Sequence, residues 1–355
     1  MKATIVRLIV ALMITALMAG CTSTPSAQTG SNGSSDAAPS ATTSAEPKDK
    51  YPDKPIRFIL PNGAGGATEN SARKWDTYFA KTIGMPLQFD FIEGSGTMVA
   101  TNVLKESAPD GYTMMLLSVF DFCHTIANMD APYKMDDFEI LGINMSDVTA
   151  IMVRKDAPWN TLQELLDYMK TKPEGTVSMG LTAVSTSDRL GVAELEKAAG
   201  VKFNAVAFGS GSKARTALVG GQVDVGHYTL FGSNAILEDV KILALHVDKN
   251  PFVEGKYKDI PTVNSVVGQK LTDITSDYGI VVPVGFSQSY PERAKKILDA
   301  LHSAWSNPEL MTKLATNNEE DKIYSNVLSP EDATAYVKKM YDLVAENKEL
   351  LMGSK

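Results

Sequence analysis

The sequence of 355 residues is poor in cysteine and contains only Cys21 and Cys123. A fold held together by several disulfides is therefore excluded, and Cys123 is expected to be a buried, unreactive thiol. Lysine and arginine do not form clusters, and the net charge at pH 7 is −8. Because the chain lacks the basic surface that nucleic acids require, we expect no nucleic-acid partner.

The sequence also lacks the short motifs of common enzyme classes. It contains no Gly-x-Ser-x-Gly elbow, no His-Glu-x-x-His pair and no Gly-Lys-Ser/Thr phosphate loop. Its four histidines are scattered without the spacing of metal ligands, at positions 124, 227, 246 and 302. We therefore expect a protein that is not an enzyme and that needs neither a metal nor a cofactor.

The amino terminus has the features of an export signal. Two basic residues precede an apolar run of about a dozen residues, from Leu8 to Ala19, which is too short to cross a bilayer stably. The run ends in LMAGC at residues 17–21, which matches the lipobox of bacterial lipoproteins. We predict a signal peptide over residues 1–20, lipidation of Cys21, and an extracytoplasmic protein anchored to the cell membrane by that lipid.

Residues 22–50 are small, polar or charged and include no large apolar side chain. Such a segment cannot bury enough surface to offset the entropy lost on ordering, so we predict a disordered tether. A flexible chain of this length spans about 30 Å root-mean-square. Residues 21–50 would thus hold a folded domain off the membrane without fixing its orientation.

The remaining chain, residues 51–355, is longer than a single core usually is and suggests two lobes. Short β-rich runs alternate with amphipathic helices, which indicates an α/β fold of two doubly wound lobes with a cleft between them. The predicted strands are residues 56–60, 87–92, 112–117, 150–154, 177–180, 203–208, 223–227, 242–246 and 278–282. The last two helices are predicted around 292–305 and 330–346.

A loop of small residues follows a strand and precedes a helix at four places, residues 61–69, 93–98, 181–188 and 208–213. Each helix start exposes unpaired backbone N–H groups and a partial positive charge, so four starts in one cleft could bind an anion. Alternatively, the Gly and Ser residues serve only turns and helix caps. The first loop does not fit a dinucleotide-binding turn, because Thr68 stands where the third glycine belongs.

Three aromatic residues, Phe120, Phe122 and Tyr133, follow the third predicted strand. They could flank a bound ligand, or they could pack in the core of the domain.

Five motifs occur in the order that is typical of one protein family. They are YPxKPIR from residue 51, GGxxExxAR from residue 65, APDGYT from residue 108, LxxGQVD from residue 218 and IPT from residue 260. In these motifs the chain resembles the solute-binding receptors of tripartite tricarboxylate transporters, the Bug family. The resemblance implies a type II periplasmic-binding-protein fold with a hinge, in which residues 51–148 and 279–355 form lobe one and residues 149–278 form lobe two.

The family resemblance also implies a monomer that binds a small carboxylate and delivers it to a large and a small membrane permease subunit. Backbone amides, hydroxyl groups and water would hold the carboxylate. The ligand-binding positions that it implies are Gly65, Gly66, Ala67, Thr68, Glu69, Ser95, Gly96, Thr97, Met98, Ser185, Thr186, Ser187, Ser210, Gly211 and Ser212. An alternative partner is a membrane sensor kinase, to which the receptor would report the carboxylate.

Arg189 departs from the family pattern, which has histidine after this loop. A cation in the first turn of a helix is unfavourable for the helix dipole by about 0.3–1 kcal/mol, so a compensating contact is expected. We hypothesise that the guanidinium of Arg189 faces the cleft and binds a second carboxylate, which would favour di- and tri-acids. The alternative is an arginine that points outward into solvent.

Overall fold

A computed structural model describes residues 50–64, 67–183, 186–316, 319–324 and 327–352. The predicted signal peptide, Cys21 and all of the tether except Lys50 lie outside the described residues. Within the described ranges, no helix is both long and apolar enough to cross a bilayer.

The described chain contains nine strands and thirteen α-helices, the last six of which follow the final strand. The strands are β1 (Ile56–Leu60), β2 (Leu87–Phe91), β3 (Thr113–Ser118), β4 (Phe138–Arg154), β5 (Ser178–Leu181), β6 (Asn204–Ala207), β7 (Val225–Thr229), β8 (Val240–Leu245) and β9 (Thr275–Pro283). The helices are α1 (Ala67–Ile83), α2 (Met98–Lys105), α3 (Val119–Asn128), α4 (Leu162–Lys170), α5 (Ser187–Ala199), α6 (Gly211–Val219), α7 (Val263–Val267), α8 (Phe286–Ser289), α9 (Pro291–Trp305), α10 (Pro308–Thr316), α11 (Asp321–Tyr324), α12 (Pro330–Glu346) and α13 (Lys348–Met352). Two 3₁₀-helices, Met135–Asp137 and Phe231–Ile236, precede β4 and follow β7.

The strands form two sheets that share the long strand β4. In the first sheet the strand order is β2-β1-β3-β9-β4, and β4 pairs with β9 up to Val148. In the second sheet the same strand, from Thr149 onward, pairs with β7 and β8, and β5 and β6 extend the sheet beyond β7. β4 therefore passes from one sheet to the other between these two residues.

In each sheet, the carboxyl ends of the parallel strands point toward the other sheet. β1, β2 and β3 are parallel, and β3 and β4 both run antiparallel to β9, so the first three strands point toward the second sheet. β7 runs antiparallel to β4 and parallel to β5, which is parallel to β6, so these strands point back toward the first sheet. The helices that follow both sets of strands therefore begin on opposite sides of one gap.

One apolar cluster runs beside both sheets, but the helices that cover each sheet pack through different kinds of side chain. Beside the first sheet, α1 and α9 pack through aromatic rings: the ring centroids of Trp75 and Trp305 are 6.1 Å apart, and those of Phe58 and Trp75 are 5.7 Å apart. All three side chains are at most 1% exposed. One face of the second sheet is covered by α4 and α5 with mainly aliphatic side chains, although two buried histidines also lie within this part of the fold.

The structure differs most from the sequence predictions in the bounds of one strand and in one helix that was not predicted. The strand predicted at residues 150–154 begins at Phe138, because β-bulges near Gly142 and Asn144 interrupt its two-residue periodicity. The helix α3 was not predicted, since its aromatic and β-branched residues favour a strand.

The aromatic residues Phe120 and Phe122 lie in α3, and with Tyr133 they belong to the apolar core beside the first sheet. Their exposed fractions are 8% or less, so the core-packing interpretation is correct for all three.

Candidate functional site

Five helices begin at the gap between the carboxyl ends of the two sheets. α1, α2 and α3 follow strands of the first sheet, and α5 and α6 follow strands of the second sheet. We call this region the interlobe site. Burial raises the pKa of Asp188 on α5, and the negative charge of Asp121 on α3 raises it further. Charges on the two sides of the site therefore interact. The arrangement directs unpaired N–H groups and positive helix ends toward one region, which suits an anion.

The first predicted loop contributes the amino end of α1. Ala67 is exposed, whereas Thr68 is 2% exposed and its hydroxyl has no hydrogen-bond partner in the described structure. The carboxylate of Glu69 accepts a hydrogen bond of 2.6 Å from Arg73, so its charge is compensated inside the same helix. Gly65 and Gly66 lie outside the described residues.

The second predicted loop contains consecutive residues with positive φ angles shortly before α2. Ser95 has φ 47° and Gly96 has φ 70°, a left-handed conformation that is uncommon for serine. Both residues are exposed and Met98 is half-buried. The hydroxyl of Thr97 is buried without a hydrogen-bond partner among the described residues. Thr97 thus resembles Thr68, as a polar group at a helix start that the protein leaves unsatisfied.

The loops of the second sheet supply further polar groups. The hydroxyl of Thr186 donates a hydrogen bond of 3.1 Å to the Ala183 carbonyl, and Ser187 begins α5. Ser210 caps α6 by accepting a hydrogen bond of 3.4 Å from the N–H of Lys213. Gly211 is half-buried and Ser212 is exposed. Ser185 lies outside the described residues.

Arg189 has an acidic neighbour on its own helix. Its guanidinium lies 3.9 Å from the carboxylate of Glu196, about two turns further along α5 and therefore away from the loop. Glu196 also forms an ion pair with Lys202 and accepts a hydrogen bond of 2.9 Å from the N–H of Phe203. Arg189 therefore has an ion-pair partner inside the protein, although its Nη1 atom forms no hydrogen bond among the described residues. This orientation toward Glu196 does not support a role in binding a second carboxylate.

A different cation, Arg215 on α6, was missed by the sequence analysis. Its Nη1 atom lies 3.0 Å from the position that a Cβ on Gly211 would occupy, and 3.5 Å from that position on Gly232. The guanidinium is thus directed toward the amino end of α6. Burial lowers the pKa of Arg215, whereas the carboxylates of Asp147 and Asp188 act in the opposite direction.

Two buried carboxyl groups lie close enough to Arg215 to affect its pKa. Burial raises the pKa of Asp188 to about 7, while Thr182 and Arg215 oppose this increase. Burial also raises the pKa of Asp147 to about 6, although its carboxylate accepts hydrogen bonds of 3.1 and 3.0 Å from the N–H groups of Phe231 and Gly232. Both groups are therefore partly protonated near neutral pH.

A third carboxyl group, that of the half-buried Asp121, belongs to the first sheet's side of the interlobe site. The hydroxyl of Ser118 donates a hydrogen bond of 2.8 Å to Asp121. Burial nevertheless raises the pKa of Asp121.

His227 and His246, which look scattered in the sequence, form a hydrogen-bonded pair with Nε2 and Nδ1 2.9 Å apart. The two lie together because β7 and β8 flank the same strand. Burial keeps both imidazoles neutral: it lowers the pKa of His246 to about 3 and that of His227 far below its usual value. Among the described residues, no three His, Cys, Asp or Glu side chains are grouped so that they could hold a metal ion.

A cavity of about 760 Å³ lies elsewhere, between α5, α12, β4 and β9. Its walls include Ser146, Glu194, Asp277 and Tyr336. Among the predicted ligand-binding residues that the structure describes, none lines this cavity, which is therefore distinct from the described part of the interlobe site.

The chain has the two-lobed α/β fold of periplasmic binding proteins. It superposes on the periplasmic binding protein BugD with a TM-score of 0.69 and 23% identity, over 84% of this chain and 98% of that one. It superposes on R. palustris Rpa4515, solved with adipate, with a TM-score of 0.70 and 18% identity, over 85% and 98% of the two chains.

Residues 71–346 match the model of the tripartite tricarboxylate transporter family receptor, TctC, and the chain therefore belongs to this family. A UPF0065 protein of Bordetella pertussis is 28% identical over 275 residues, which are 77% of this chain and 83% of that protein. The family predicted from the five motifs is confirmed, as is the two-lobed α/β fold.

Proposed function

We propose that the protein is an extracytoplasmic receptor that binds a small carboxylate between its two lobes and delivers it to large and small permease subunits in the membrane. The observation that carries this proposal is the meeting of five helix starts at the interlobe site. Helix starts stabilise an anion through N–H groups and aligned dipoles, without requiring a dense cluster of cations. The structural relative Rpa4515 was solved with adipate, a dicarboxylate, which supports this choice of ligand class.

In this proposal the two lobes are residues 51–148 with 279–355, and residues 149–278. The boundary near residue 148 agrees with the point at which β4 changes its pairing partner from β9 to β7 and β8. The predicted residues of the four loops would contact the ligand, including Gly65, Gly66 and Ser185. The receptor would act as a monomer that closes around its ligand by a hinge motion.

The lipid anchor is the second part of the proposal and rests on the LMAGC sequence. Cys21→Ala should abolish lipidation and release the protein from the membrane fraction. The measurement is incorporation of a fatty-acid probe, with Cys123→Ala as the matched control that should still be labelled. A Cys21→Ala chain that still incorporates the probe would exclude this anchor.

The binding proposal is tested by native mass spectrometry of freshly purified protein, followed by calorimetric titration with adipate, malate and citrate. We expect saturable binding of at least one of these acids with a stoichiometry of one, and no binding of the corresponding neutral amides. An absence of binding to every carboxylate, or equal binding of the amides, would contradict the proposed function.

A further inference from the structure

Arg215 is a half-buried cation whose charge the described protein does not pair. None of the described carboxylates lies within 4.0 Å of its guanidinium nitrogens. The guanidinium lies between Gly211, at the start of α6, and Gly232, which follows β7. This position is at the carboxyl end of the second sheet and therefore borders the interlobe site.

This placement of Arg215 is unfavourable in the absence of a ligand. Burial removes part of the hydration of the guanidinium, and the positive end of α6 repels it. The two nearest acidic groups do not relieve this cost by direct pairing. Asp147 is held by the N–H groups of Phe231 and Gly232. Asp188 is about half protonated near pH 7.

Resting on the proposed function, we infer that Arg215 is a specificity-determining residue that binds one carboxylate group of the ligand through both arms of its guanidinium. The planar fork of arginine matches the two oxygens of a carboxylate, and such a bond is stronger than one between neutral groups. A bound carboxylate would complete the charge balance that the protein leaves open at this position.

The surroundings of Arg215 also determine where a second carboxylate of a diacid can lie. The carboxyl groups of Asp147 and Asp188 oppose a second negative charge next to the first one. On the opposite side of the site, the hydroxyls of Thr68 and Thr97 are buried and find no hydrogen-bond partner among the residues that the structure describes. A diacid would therefore span the gap, with one carboxylate on Arg215 and the other at the starts of α1 and α2.

Arg189 provides a matched control within the same chain. It is also a half-buried arginine on a helix of the second sheet, but its guanidinium pairs with Glu196 away from the site. If only the loss of one positive charge mattered, neutral substitutions of Arg215 and Arg189 would weaken ligand binding equally. If Arg215 contacts the ligand, only its substitution should weaken binding.

The experiment measures the dissociation constant of the tightest-binding acid among adipate, malate and citrate, by calorimetry on the full chain. The variants are Arg215→Gln, Arg215→Lys and Arg189→Gln. A charge-assisted hydrogen bond predicts that Arg215→Gln weakens binding by about 10- to 150-fold. Arg215→Lys should recover part of this loss, because it keeps the charge but not the fork. Arg189→Gln should remain within about twofold of the wild type.

A second readout separates a contact with the ligand from a loss of structure. The wild-type affinity should fall as ionic strength rises, whereas that of Arg215→Gln should change much less. Without ligand, Arg215→Gln should melt at the same temperature as the wild type or higher, because the substitution removes a cation that is unfavourably placed. If wild type binds an acid and Arg215→Gln binds it equally well, the inference is wrong and the proposed function stands. If wild type binds none of the acids, the proposed function fails and the inference falls with it.

Discussion

The two sides of the interlobe site use different chemistry. The side of the first sheet offers helix starts and the unsatisfied hydroxyls of Thr68 and Thr97, and the charge of Glu69 is compensated by Arg73. The side of the second sheet contains the unpaired Arg215 and the partly protonated Asp188. Dipoles and hydroxyls accept many anions, while a fixed cation beside buried carboxyl groups restricts the number and position of charges. Selectivity should therefore depend mainly on the second sheet.

The same contrast extends to the cores, and truncation of aromatic residues tests it with the largest expected effect. Trp75→Ala should lower the free energy of unfolding by about 3–5 kcal/mol, because the side chain is fully buried among Phe58, Phe79 and Trp305. Trp159, at the edge of the second core and 9% exposed, should cost clearly less when changed to alanine. Urea unfolding measures both losses, and equal losses would contradict the proposed difference between the cores.

Asp188 gives the second sheet a stability that depends on pH. Its pKa is 3.8 when unfolded and about 7 when folded, so between these values only the folded chain keeps the proton. The free energy of unfolding therefore falls as pH rises from about 4 to 7 and loses nothing further from this group above that range. Asp188→Asn should stabilise the protein at pH 8 by roughly 2–4 kcal/mol, at about 1.36 kcal/mol per pKa unit.

The stabilisation by Asp188→Asn should become small near pH 4, because this pH is close to the unfolded pKa of 3.8 and most of the difference in proton binding is lost there. Asp167→Asn, at an exposed position on α4, is the control and should show little change at either pH. A gain for Asp188→Asn that is the same at pH 4 and pH 8 would show that its titration is not the cause.

The hydroxyls on the first sheet's side predict a smaller effect. Thr97→Val removes a buried oxygen that has no hydrogen-bond partner in the described part of the chain, so we expect stability to rise by about 1 kcal/mol and carboxylate affinity to fall. Thr101→Val is the opposite case, because its hydroxyl donates a hydrogen bond of 2.8 Å to the Thr97 carbonyl. It should lower stability by about 1 kcal/mol. Thermal unfolding of both variants in the same buffer shows whether Thr97→Val gains stability while Thr101→Val loses it.

The sequence predicted the short strands well, because each is an apolar run between turn residues. It could not predict the full length of β4, whose bulges interrupt the alternation of side chains. The family motifs led to the loops of the interlobe site, but not to its charges. Arg215 lies within an ordinary amphipathic helix, and only its packing against Gly211 and Gly232 distinguishes it from a solvated arginine. Arg189 shows the converse, since a suggestive position in sequence is occupied by a residue that pairs inside the protein.

The most direct test of a ligand bound between the two lobes is a distance measurement across them by pulsed electron paramagnetic resonance. Nitroxide labels would be placed at Val99→Cys on α2 and Thr216→Cys on α6, two exposed positions, in a chain that carries Cys21→Ser. Cys123 should not react, because it is fully buried and burial raises the pKa of its thiol. The acid that binds in calorimetry should shift the distances to shorter values in wild type, and Arg215→Gln should require a higher concentration for the same shift. A distance distribution that stays unchanged at saturation would contradict binding between the lobes.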